Sequence, residues 1–349
     1  MMLIYPLPIK STRVRRTYRG GKLIDEFRGF KGEDSMFPEE WLLSTVTASN
    51  PDANGDIVEG LSIIENTGES LVEFLSRIPE GRDIDVLVKL IDAAERLSIQ
   101  VHPTREDAVR LLNSPYGKTE CWHILGGREI DGQPPCIYLG FKEGITREIW
   151  SLLFDNQNIS GMLEWMHKIE VQVGETYFIP GGVPHAIGKG CFLVEIQEPS
   201  DITLRAERTG PSGNLLSDFN CHQGMGFDAM LGCFSYKGYS LDETIRRWRI
   251  SPRCVKKQNK EYCVISLIDH TITSYFQLEK LEIEGMLSER EVLHHHGLFV
   301  VSGQGSISFM DRKEPLVPGT QYFVPARSVA YDIQANEKIT MLRYKGPDY

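Results

Sequence analysis

Two stretches of this chain share one spacing. "VGETYFIPGGVPHAI" (173–187) and "PGTQYFVPARSVAYDI" (318–333) each set a Gly, a five-residue run and a Pro in the same order, at Gly174 and Pro180 and again at Gly319 and Pro325. Such an echo implies one β-unit used twice, which narrows the fold to a duplicated β architecture. The fifth residue past the proline is His185 in the first copy and Ala330 in the second, so only the first copy keeps a polar group there.

The rest of the chain fits that frame. Segment 86–103, "VLVKLIDAAERLSIQVHP", reads as two β-like runs around a charged turn, a hairpin ended by Pro103. "TREDAVRLLN" then restarts with helical period behind Thr104 as N-cap, with Asp107 at N3. Strands are expected at 120–125, 136–141, 168–173, 176–180 and 192–197, helices around 146–154, 158–167 and 238–250, and mostly strand from 262 onward. Short strands with Gly and Pro at the turns point to a sandwich or barrel. Within "LSIQVHP" (97–103) the two-residue period turns Gln100 and His102 to one face, and Ile99 and Val101 to the other.

The 349 residues are enough for two domains, and the formal charge of −10 disfavours a nucleic-acid partner. Basic residues are scattered apart from an N-terminal cluster, Arg13, Arg15, Arg16 and Arg19. No apolar run approaches the roughly 20 residues of a membrane helix, and "MMLIYPLPIK" is too short and too Pro-broken for a signal peptide, so a cytoplasmic protein without a membrane partner is expected. The seven cysteines form no CxxC and read as reduced thiols.

Gly174, Pro180, Gly182 and His185 match the second cupin motif, with Lys189 at the place of its downstream Asn. Gln100, His102 and Glu120 could complete a ligand set from two neighbouring strands. Singly, each of these residues reads as ordinary: a core histidine, a surface carboxylate, a strand amide. Together, two imidazoles, a carboxylate and an amide oxygen suit Zn²⁺ or another borderline divalent ion and leave a coordination position open. A β interior rarely accepts so many polar groups without a partner.

"LVKLIDAAERLSIQVHP", "YGKTECWHIL", "YFIPGGVPHAI" and "EIQEPSDITLRAER" together resemble the class I mannose-6-phosphate isomerases, zinc-dependent double-cupin enzymes. The resemblance implies a mostly β, double-cupin fold, two jelly-roll β-barrels with a few helices inserted between strands. It implies a catalytic cupin domain over 1–235, including the helical insertions, and a degenerate one over 236–349 without metal ligands. Carried over residue by residue, it puts the metal on Gln100, His102, Glu120 and His185, with one Zn²⁺ per chain. It puts the catalytic arginine on Arg205, a substrate-holding lysine on Lys118 and a serine near the phosphate on Ser98. The family's "WGG" signature stands here as "YRGG" (18–21), which bears on the sugar preferred.

The implied reaction interconverts mannose 6-phosphate and fructose 6-phosphate through a cis-enediol, with the sugar phosphate as partner and the chain either a monomer or a homodimer. It needs a base for a weakly acidic C–H and stabilisation of the oxyanion beside it. Glu195, alternating with Gln197 in "LVEIQEPSD", is one candidate base or a group orienting a ligand histidine, and a metal-bound water is the other. Two alternatives stand beside the isomerase: an Fe²⁺ cupin oxygenase and a non-catalytic sugar- or metal-binding cupin. The triplet His294–His296 presents only His294 and His296 to one face, and Ala330 replaces the final histidine, so a metal-free second unit is expected.

Overall fold

In the computed structural model, which describes residues 4–50, 59–79 and 81–347, antiparallel strands form four sheets that pack as two sandwiches. The first sandwich sets a seven-stranded sheet, ordered Arg249–Ile250, Thr176–Ile179, Glu120–Gly127, Cys191–Gln197, Leu87–Asp92, Glu39–Leu43, Arg13–Val14, against a five-stranded one, ordered Leu204–Arg205, Gln100–Val101, His185–Ile187, Cys136–Phe141, Met166–Glu170. Trp122, Ile124 and Leu193 from the larger sheet meet Ile137, Leu139 and Ile187 from the smaller.

Alternation decides what each face touches. Along Leu87–Asp92, Val88 and Leu90 point to the second sandwich while Ile91 points into the first. Lys89 shares that inner face and is buried, so this strand is covered on both sides and tolerates the lysine there only because acids meet it. Ile99 and Val101 face outward, onto a helical layer built on Trp150, Phe154, Met162 and Met230. Thr104, Thr146 and Asn158 cap the helices Arg105–Leu112, Arg147–Asp155 and Ile159–Glu164 by accepting the N–H groups of Asp107, Ile149 and Gly161.

The second sandwich pairs the seven strands Leu7–Pro8, Gln321–Val324, His296–Ser302, Ile339–Lys345, Gln277–Ile283, Tyr262–Ile268 and Arg253–Gln258 with the four strands Met286–Glu289, Tyr331–Ala335, Gly305–Phe309 and Arg312–Leu316. The two large sheets pack back to back through Val88, Leu90, Phe299, Phe323 and Leu342. The short strand Leu7–Pro8 pairs with Gln321–Val324, and Arg249–Ile250 pairs with Thr176–Ile179, so strands reach across the expected boundary at 235/236 in both directions.

The sequence echo is a structural repeat. Gly174 and Gly319, at φ +89 and +87, donate to Ile124 O and Val300 O, in turns where only a residue without Cβ sits unstrained. Glu120 pairs with Ile179 as His296 pairs with Val324. Lys89 stands opposite Glu195, as Glu279 stands opposite Arg343.

Two expectations are corrected. Residues 86–103 are not a hairpin: Leu87–Asp92 pairs with Glu39–Leu43 and Cys191–Gln197, whereas Gln100–Val101 pairs with His185–Ile187 and Leu204–Arg205 in the facing sheet. The charged turn is a crossing between layers, which two apolar runs cannot announce by themselves. The jelly rolls are open sandwiches, since no strand pairing among the described residues joins the two sheets of either unit into a barrel.

Candidate metal centre and cavity

Three expected ligands converge. His185 opens the strand His185–Ile187, where it pairs with Gln100, and Glu120 opens its strand in the facing sheet, so His102, Glu120 and His185 meet inside the first sandwich. One ligand atom from each lies within 4.8 Å of the others. The His185 Nε2 is 3.3 Å from Glu120 Oε1, and the His102 Nε2 is 3.2 Å from Glu120 Oε2. All three side chains are buried.

The histidine tautomers are fixed from outside. His102 Nδ1 meets Ile202 O at 2.9 Å and His185 Nδ1 meets Val183 O at 2.8 Å; a carbonyl only accepts, so both Nδ1 atoms carry the proton and both Nε2 lone pairs face inward. Burial and the Lys118 charge push both imidazoles down, His102 to about 3, which favours the neutral, metal-binding form. Burial alone would raise the Glu120 carboxyl, but Lys118 and the two imidazoles hold it well below the usual range. Glu120 Oε1 and His185 Nε2 are buried with no hydrogen-bond partner. Two neutral imidazoles and a carboxylate with orphaned, inward-aimed lone pairs are what a borderline divalent cation requires.

Lys118 joins this centre to a cavity. Its Nζ lies 2.9 Å from both Glu120 Oε2 and His102 Nε2. It also lines the cavity shared by Ser98, Gln100, Glu195 and Arg205, so every expected site residue belongs either to the ligand cluster or to this wall. Glu195 Oε2 accepts from Trp122 Nε1 at 2.9 Å, and its Oε1 lies 3.3 Å from Lys89 Nζ. Burial, reinforced by the Glu120 charge, pushes its carboxyl up. Arg205 donates to Asn220 O at 2.8 Å and has no ion pair among the described residues. Burial and the neighbouring Arg16 lower it, the mark of a guanidinium short of counter-charge.

Sequence reasoning did not single out Lys89, Arg16, Glu39 or Asp201. Arg16 grips both oxygens of Asp201 at 2.9 Å and reaches Glu39 at 3.1 Å, and Lys89 lies 3.7 Å from Asp201. Arg16, Glu39 and Lys89 line the cavity, and Asp201 braces the two cations. The lone lysine in the apolar run "LVKLID" was the available signal for Lys89.

No protein-family profile matches the chain. A mannose-6-phosphate isomerase of Streptococcus mutans is 25% identical over 334 residues, covering 92% of this chain and 92% of that one. The mannose-6-phosphate isomerase ManA of Bacillus subtilis is 35% identical over 126 residues, 36% of this chain and 38% of that one. The probable mannose-6-phosphate isomerase GmuF of the same organism is 29% identical over 203 residues, 58% of this chain and 61% of that one. The matched segment therefore spans less than two thirds of either Bacillus relative. Among solved structures, the mannose 6-phosphate isomerase from Bacillus subtilis superposes with a TM-score of 0.74 at 21% identity, covering 97% of this chain and 99% of that one. A mannose 6-phosphate isomerase bound with zinc and yttrium gives 0.68 at 14%, covering 98% and 100%. The chain is thus similar along most of its length to a protein named mannose-6-phosphate isomerase and shares the fold of the solved mannose 6-phosphate isomerases.

Proposed function

We propose that this protein is an aldose–ketose isomerase that interconverts mannose 6-phosphate and fructose 6-phosphate with one Zn²⁺ per chain. The observation that carries the reading is the pair of orphaned, buried ligand atoms, Glu120 Oε1 and His185 Nε2, beside a cavity with an uncompensated arginine. Homologues that bear the isomerase name support it, and neither the oxygenase nor the binding-protein alternative draws support from them.

His102, Glu120 and His185 would hold the ion, with Gln100, the strand partner of His185, as fourth ligand, and the ion supplies Lewis acidity toward the sugar oxygens. Glu195 takes the C2 proton and returns it to C1. A carboxyl raised by burial and by the Glu120 charge is a stronger base than an exposed one, and Trp122 and Lys89 hold it in place. Arg205 and Lys118 supply fixed positive charge to the enediolate or the phosphate, and Ser98 adds a hydroxyl at the same wall. The chemistry resides in the first sandwich. In the second, His296 meets Tyr331 Oη at 2.9 Å, and burial lowers it to about 3. A cytoplasmic location goes with this reading.

The test is a coupled assay for fructose 6-phosphate formed from mannose 6-phosphate, with and without chelator, together with metal analysis. Turnover that chelator abolishes and Zn²⁺ restores is expected, with the ion lost from His102→Ala and His185→Ala. Metal-loaded protein without turnover would sink the substrate assignment; one ion per chain in both variants would move the centre elsewhere.

A further inference from the structure

The second sandwich ends its large sheet in an outer hairpin, Arg253–Gln258 against Tyr262–Ile268, and every residue of the outer strand is exposed. Pairing runs Gln258↔Tyr262, Lys257↔Cys263, Lys256↔Val264, then shifts so that Cys254 faces Ile265. In an unbroken ladder Cys254 would share a face with Lys256, away from Cys263. The bulge admits Val255 as an extra residue and turns Cys254 onto the face of Cys263.

The two Sγ atoms are 2.9 Å apart, so a shift of about 1 Å brings them to the disulfide length of about 2 Å. Cys254 is exposed and Cys263 half-buried, whereas the other five cysteines are buried. The contact with Cys254 and partial burial push the Cys263 thiol up, and Cys254 is the more exposed sulfur of the two. Lys257 stands opposite Cys263, and its charge attracts an anionic oxidant such as glutathione disulfide.

We propose that Cys254 and Cys263 form a redox-modification site, a dithiol that closes to an intrachain disulfide on meeting a small-molecule disulfide or a peroxide. With glutathione disulfide, the Cys254 thiolate attacks one sulfur and releases a first glutathione thiol. The Cys263 sulfur then displaces the second glutathione from Cys254 and gives up its proton. One protein S–S bond forms, one glutathione S–S bond breaks, and two electrons pass from the protein sulfurs to glutathione. Hydrogen peroxide reaches the same end through a Cys254 sulfenic acid: one water leaves as the sulfenic acid forms and a second as Cys263 displaces it.

The experiment exposes the reduced full-length protein to glutathione disulfide or hydrogen peroxide, alkylates it in denaturant and maps peptides by mass spectrometry. Expected are five alkylated thiols out of seven, one linked peptide joining Cys254 and Cys263, and full reversal by dithiothreitol. Cys254→Ser and Cys263→Ser each abolish the link, and Cys263→Ser leaves a lasting glutathione adduct on Cys254. Seven alkylated thiols after exposure, a link to any other cysteine, a lasting adduct on Cys254 of the unaltered protein, or a link surviving in either variant would each overturn the proposal.

Discussion

Replacing Arg16 by methionine keeps most of the side-chain volume and removes the charge that two buried acids share. Arg16 meets Asp201 through two contacts of 2.9 Å and Glu39 through one of 3.1 Å, and the three side chains are only 9%, 4% and 4% exposed. Without it, Lys89 is the remaining cation, and Lys89 already faces Glu195 at 3.3 Å. Removing one partner of such a buried pair costs about 3–5 kcal/mol, because the other charge stays buried and unpaired. The pH dependence has a definite sign. Burial alone would raise the Asp201 carboxyl, but Arg16 and Lys89 hold it well below its ordinary value. Its contribution is therefore present above the unfolded pKa of about 3.9 and is lost as pH falls through the lower folded value. In Arg16→Met the carboxyl rises, so the gap between the two proteins is widest near neutrality and narrows in acid, closing only as pH falls through the low folded value of Asp201 in the parent. Urea unfolding followed by tryptophan fluorescence reads this directly, since Trp41 Nε1 donates to Glu39 Oε2 at 2.8 Å. A loss under about 1 kcal/mol at neutral pH, the range of exposed pairs, or a gap that does not narrow in acid, would refute the reasoning.

Glu195→Gln should cut kcat by about 10²–10⁴ while the metal content stays at the unaltered level, and full turnover would assign the base elsewhere. Arg205→Ala should also keep the metal and lose most turnover; activity equal to the parent's would remove its role. Trp150, fully buried among Phe141, Phe154 and Phe234 under the smaller sheet of the first sandwich, should cost about 3–5 kcal/mol as Trp150→Ala in denaturant melts, and a loss below about 1 kcal/mol would mean that the helical layer packs loosely there.

What was legible in the sequence was what is local or periodic. The two-residue period put Gln100 with His102, and Thr104 announced its helix, because both signals lie within one element. The Gly–Pro spacing carried the repeat because each turn is fixed by a few neighbouring backbone bonds. The reading failed where partners are far apart. Arg16 and Asp201 lie 185 positions apart, and nothing near either one names the other. The run 86–103 held two correct strands and a wrong connection, because the pattern of one strand does not say which sheet will accept it. Lys118 was expected to hold substrate, but its contact with both Glu120 and His102 depends on how two sheets face each other.

The repeat places the two sandwiches in register, and at one address the charges are transposed. Where the first unit has Lys89 opposite Glu195, the second has Glu279 opposite Arg343, with the contact at 2.7 Å. Arg343 also reaches Glu289, on the facing sheet, at 3.2 Å, and so spans the gap that in the first unit is a cavity. His296, at the ladder position of Glu120, is stoppered by the Tyr331 hydroxyl. The same doorway is thus kept open in one copy and bolted in the other, and the bolt is an ion pair whose polarity the scaffold does not care about. Each chain therefore contains its own control: what both copies share belongs to the backbone, and what only the first can do belongs to a handful of side chains.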